Sequence, residues 1–71
     1  MTIKEKNEDL ALVNAMQDEN VKVLRAAGRL MEKLEESEQC SAACAELASA
    51  MGHLVESGRA LEKRATVIRY E

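Results

Sequence analysis

The chain has no proline, no tryptophan and no phenylalanine, one tyrosine and three glycines in 71 residues. Without proline, nothing forces a helix to break. Near-absence of aromatics argues against a sandwich or barrel, because strands favour aromatic and β-branched residues. No apolar run exceeds four residues, far short of a membrane span. The opening Met-Thr-Ile-Lys-Glu-Lys-Asn-Glu-Asp has no apolar stretch behind it, so no secretory signal is expected. Thr2 excludes N-myristoylation. A cytoplasmic location is therefore expected, with Cys40 and Cys44 reduced. Gly-rich phosphate loops, nucleophile elbows, paired-carboxylate clefts and histidine clusters are also missing from the sequence. The chain is expected to have no enzymatic activity and no cofactor.

What is present favours helix. Ala, Leu, Glu, Lys, Arg, Met and Gln dominate, the residues that cost least in a helix. Apolar residues make up 46%, too many for a disordered acidic tail. Ten basic residues stand against thirteen acidic ones, a net charge of −3. That balance gives no bulk attraction to nucleic acid or to an anionic membrane. A chain of this length forms a single domain, residues 1–71, and buries too little surface to be very stable alone. An all-α unit completed by a partner is the expectation.

Thr2 and Glu5 fit the Ser/Thr-x-x-Glu capping box, placing a helix start near residue 3. An apolar stripe follows: Leu10, Val13, Met16, Val23, Leu24, Ala27, Leu30, Met31 and Leu34. It has the helical period and bundle width, with a polar middle at Gln17 and Asn20. The second half is more regular. Cys40, Cys44, Leu47, Met51, Leu54, Gly58, Leu61, Ala65 and Ile68 alternate spacings of 4 and 3 without a break. This is a heptad seam.

The two stripes are out of phase across Glu35-Glu36-Ser37-Glu38-Gln39. Ser37 is a good N-cap and Glu38 suits a first turn. The reading is two helices, about 3–35 and 38–69, joined by a turn at 35–39 into an antiparallel hairpin. One long helix with a local stutter is the alternative, since the turn has no Gly, Asn or Pro. Folding the hairpin sets Met31 against Cys44, Leu24 against Met51, Val13 against Leu61 and Leu10 against Ala65. Gln17 then faces Gly58. Two helices enclose no dry core, so Met16, Val23, Leu30, Val55 and Val67 are left needing cover.

Several clusters have both a chemical and a structural reading. Cys40 and Cys44, one helical turn apart, could ligate a metal, but only His53 could join them; small seam residues is the better reading. His53 shares a face with Ser49, Glu56 and Ser57 and reads as surface. Ser41, Ala45, Ala48, Ser49 and Gly52 form a small-residue row that a partner helix could approach closely. Lys22, Arg25, Arg29 and Lys33 form a basic ridge, read as a solvated face rather than an RNA contact. Charge is uneven. Residues 32–38 hold four glutamates against Lys33, whereas 59–70 hold Arg59, Lys63, Arg64 and Arg69 against Glu62. The expected partner interface is Ala45, Ala48, Ser49 and Gly52, with the flank Val23, Leu30 and Val55 as the second candidate.

Ala60-Leu61-Glu62, followed by Ile68 and Tyr70, resembles the small co-chaperones of type III secretion needle subunits. Those are short helical hairpins carrying an Ala-Leu-Glu and a later Ile-x-Tyr at this spacing. The resemblance implies a cytosolic protein that pairs with a larger helical-repeat chaperone and keeps the needle subunit unpolymerised. From composition and patterning alone, the reading is a small protein-interaction module acting on a protein partner or on itself. The competing form is a homodimeric four-helix-bundle regulator, or a phage- or plasmid-encoded inhibitor of a host protein or RNA.

Overall fold

In the computed structural model, which describes residues 2–71, the chain is an antiparallel helical hairpin. Helix α1 spans Ile3–Glu35, and helix α2 spans Ser41–Tyr70 after a single 3-10 turn over Glu38–Cys40. The long dimension is 55 Å and the radius of gyration 16.4 Å, against about 11 Å for a compact chain of this length. The molecule is a rod with two helices' worth of thickness.

Thr2 starts α1 as its sequence promised. Its hydroxyl accepts the Glu5 amide at 3.1 Å and donates to Glu5 Oε1 at 3.0 Å. The turn departs from expectation in detail. Ser37 does sit ahead of the second helical stretch in extended backbone, but its hydroxyl makes no cap hydrogen bond. Reversal is spread over several residues instead. The amides of Glu36 and Ser37 reach back three residues, to the carbonyls of Lys33 and Leu34, tightening the end of α1. Cys40 N–H then bonds the Ser37 carbonyl at 3.1 Å. No described residue has a positive φ. That is why the turn works without glycine or asparagine: it uses no left-handed residue. Because residues 38–40 form a 3-10 turn, α2 proper begins at Ser41 rather than at 38.

Between Ser41 and Tyr70, the residues that are not exposed are Cys44, Leu47, Met51, Leu54, Gly58, Leu61, Ala65 and Ile68. Cys40, just ahead of them, is half-buried too. On α1 the inward row runs through Leu10, Val13, Gln17, Asn20, Leu24, Ala27, Met31 and Leu34. Full burial is rare. Among the described residues only Val13, Ala27, Ala65 and Ile68 reach it, and Val13, Ala65 and Ile68 cluster at the open end with Leu10 and Leu61 packed around them. Elsewhere the seam is half-buried.

The register is within about a residue of the expected one, with Leu10, Val13, Leu61 and Ala65 packed together, but the contact at Gly58 differs. Asn20, not Gln17, faces Gly58: a Cβ on Gly58 would meet Asn20 Nδ2 at 3.2 Å. The same Nδ2 donates to the Leu54 carbonyl at 2.9 Å. In an α-helix that carbonyl also accepts the amide of residue 58. A side chain at 58 would crowd the approach to it, and glycine leaves it open. Asn20 therefore reaches the α2 backbone directly.

Two predictions follow from this packing. Ile68 is 0% exposed and Ile3 is 79% exposed. Ile68→Ala should cost roughly 2–5 kcal/mol and Ile3→Ala no more than about 0.5 kcal/mol, read as thermal melts by circular dichroism. Equal shifts would contradict the packing at the open end. Gly58→Ala should gain about 0.5–1 kcal/mol of helix propensity, but only once Asn20→Ala has cleared the site. In the wild-type background the same change should be worse by a measurable coupling term. A cycle with no coupling would remove the Asn20–Gly58 contact from the account.

Candidate interaction surface

A groove of about 500 Å3 opens along one side of the hairpin, lined by Ala15, Met16, Glu19, Asn20 and Val23 of α1 and Leu54, Ser57 and Leu61 of α2. Its depth comes from asymmetry between the helices. The α1 wall carries Met16 and Val23, while the α2 wall offers Ser57 at the same level. Neighbouring positions on that flank of α2, one heptad apart, are Ala43, Ala50 and Arg64.

The α1 wall belongs to a longer strip. Leu12, Met16, Glu19, Val23, Ala26 and Leu30 repeat at alternating spacings of 4 and 3. This is a second heptad row, beside the one that packs on α2. All six are exposed, Leu12 by 57% and Val23 by 51%. Its one charge, Glu19, is met by Lys22 Nζ at 3.1 Å. That pair also interrupts the basic ridge, since Lys22 is engaged within its own helix. Exposed pairs of this kind contribute little to stability.

The structure separates residues that the sequence had grouped. Val23 and Leu30 lie on the groove side. Val55 does not: Ser57, three residues past Leu54, lines the groove, and at about 100° per residue a position one past Leu54 points to the opposite flank. Ala48, one heptad before Val55, shares that far flank. Ala45, Ser49 and Gly52 are exposed on α2, and a Cβ on Gly52 would meet nothing within 4 Å. The small-residue row is therefore an open surface away from α1, and it is not continuous with Val23 and Leu30. What sequence reasoning missed was Leu12, Ala26 and the groove-side role of Ser57. The spacing of Leu12 to Met16 was available in the sequence, but Leu12 belongs to the second row and not to the seam.

The remaining candidates fall out as ordinary surface or seam. Cys40 and Cys44 are free thiols, both half-buried. Among the described residues no three His, Cys, Asp or Glu side chains converge on a point that could hold a metal ion. His53 is exposed. Neither described helix is long and apolar enough to cross a membrane. Within the Ala60–Tyr70 stretch, Leu61 and Ile68 face the seam, whereas Ala60, Glu62 and Tyr70 are exposed.

The chain matches no protein-family model, no curated protein and no solved structure.

The cysteines supply a prediction. Since both thiols pack along the seam, C40A/C44A should keep its helicity and cooperative melt. Zinc measured by atomic emission should be far below one ion per chain before and after the change. A stoichiometric ion lost in the double variant would restore the ligand reading.

Proposed function

We propose that the chain is a non-enzymatic protein-interaction module that works by presenting the Leu12–Leu30 strip and the adjoining groove to another helix. One observation carries this reading: a row of large apolar side chains at heptad spacing stays exposed beside an open, apolar groove. Lone exposed leucines need no explanation, but a contiguous row in helical register marks an interaction surface. A straight row flanking a groove suits an amphipathic helix, whose own apolar residues recur every three or four positions. The strip carries a single charge, Glu19, with Lys22 beside it; covering that pair costs desolvation, which the apolar side chains on either side have to offset.

The likeness to needle-subunit co-chaperones gives this module one form, in which the helix belongs to a larger helical-repeat chaperone. Ala60, Glu62 and Tyr70 are the members of that motif with surface left to contribute. The small-residue row of α2 offers a second contact on the far side, by close approach rather than by large side chains.

The test is site-specific photocrosslinking in the cell that makes the protein. A benzophenone amino acid at Val23 should yield a discrete adduct of defined mass. The same probe at Asp18, exposed on the other side of α1, should not. Equal yields from both positions, or none from position 23, would refute the strip as the working surface.

A further inference from the structure

We infer that the strip is covered by a second copy of this chain, laid end-for-end across the groove face about a twofold axis at the level of Val21 and Val55. The inference rests on the interaction-module reading and names its partner. Three observations lead to it.

The first is area. The folded chain exposes 5463 Å2, whereas a compact protein of 7.9 kDa exposes about 4,400 Å2. The excess is comparable to the roughly 800 Å2 that each partner gives up in a standard interface. One further two-helix layer removes that excess and turns the half-buried seam into the core of a four-helix bundle.

The second is charge along the rod. The tip carries Glu32, Glu35, Glu36 and Glu38 against Lys33, and the end of α2 carries Arg59, Lys63, Arg64 and Arg69 against Glu62. A twofold axis parallel to the rod would stack two acidic tips on each other. An axis across the rod lays each tip at the partner's open end, where Glu36 falls level with the partner's Lys6 and the basic α2 terminus runs alongside, and symmetry makes that contact twice.

The third is register, and it comes out the same way from both helices. On the groove face of α1, an antiparallel copy centred on position 21 pairs Leu12 with the partner's Leu30 and Met16 with the partner's Ala26. It also pairs Asp9 with the partner's Lys33. On the groove face of α2, a copy centred on position 55 pairs Ala50 with the partner's Ala60 and Glu46 with the partner's Arg64. One axis must serve both helices. It does: Asn20 bonds the Leu54 carbonyl and sits against Gly58, which places residue 20 level with 56 and therefore 21 level with 55. Near the axis, Glu19 and Lys22 of each copy form a neutral group, so Glu19 enters the interface with its counter-ion.

The experiment is sedimentation equilibrium of the purified full chain, with circular dichroism of each variant. The wild type should be a dimer. Asp9→Lys or Lys33→Asp alone should weaken dimerisation on the order of tenfold, since each change acts at two symmetric contacts. The combined D9K/K33D should return to near wild-type affinity. Glu46→Arg and Arg64→Glu should behave in the same way on α2, so one pair remains if a variant of the other loses helicity. A dimer indifferent to both swaps would overturn the end-for-end arrangement. A monomer throughout would overturn self-association. If that monomer still crosslinks from position 23 to a different protein in the cell, the interaction-module reading stands; if it crosslinks to nothing, both fall.

Discussion

The hydrogen bond from the Asn20 amide to the Leu54 carbonyl, beneath Gly58, is the constraint that the rest of the hairpin is arranged around. A heptad seam by itself is tolerant. Leucine, methionine and alanine rows pack almost as well one heptad up or down, because the seam repeats itself. The amide bond does not repeat. It needs a donor on α1, a reachable carbonyl on α2 and no side chain at the position that would block it, and the chain provides that combination at one level. Its net contribution is on the order of 1 kcal/mol, small beside the apolar burial. Slipping the register would leave the amide half-buried without a partner, which costs about 1–3 kcal/mol. The bond therefore acts on specificity more than on stability. The short connection, held by backbone hydrogen bonds at Glu36, Ser37 and Cys40, limits the register, and this cross-helix contact sharpens it.

Burial along the rod follows from there being only two helices. Each seam residue has one opposing helix and open space on both sides. Full burial occurs where side chains from both helices close around a site, as Leu10, Val13, Leu61 and Ala65 do around Ile68. At the other end Cys40, Cys44 and Leu34 remain half-buried. Local stability should follow the same gradient, with the open end the most resistant to opening and the tip the least. The apolar side chains that two helices cannot enclose are not scattered evenly. Among the described residues, four of the nine large exposed ones, Leu12, Met16, Val23 and Leu30, share one strip on the groove side of α1, where bulky Met16 and Val23 look across at Ser57.

The α2 seam was legible in the sequence because its spacing is unbroken and every member is apolar or glycine. The α1 helix was legible from Thr2 and Glu5 at one end and the phase break at the other. The pairing of the two helices was legible to within about a residue, but the contact at Gly58 was not. Gln17 and Asn20 are both polar, both central and both on the inward face; only the distance from each amide to a carbonyl distinguishes them. The shorter Asn20 finds one and Gln17 does not. The turn was legible as a break and illegible in form, since Ser37 has the right chemistry for a cap and the chain reverses through backbone hydrogen bonds instead. Val55 was grouped with Val23 and Leu30 because all three are β-branched or large and off the main seam. Which side of the hairpin a residue faces depends on the handed arrangement of two helices, and a count of apolar residues on separate helices does not contain that.

Coupling between folding and pairing is the last consequence of this geometry. In the proposed dimer, the residues that a second copy covers are continuous with those that hold the hairpin together, since Met16 and Val23 share a groove with Leu54 and Leu61. Covering the strip therefore also desolvates the open side of the seam. Association and hairpin formation then draw on the same apolar surface, and stability rises with protein concentration by mass action. A helix from a different protein laid in the same groove would do the same with its own concentration. The sparse monomeric core and the open strip are in this sense one property: the hairpin leaves unburied the surface through which a partner can stabilise it.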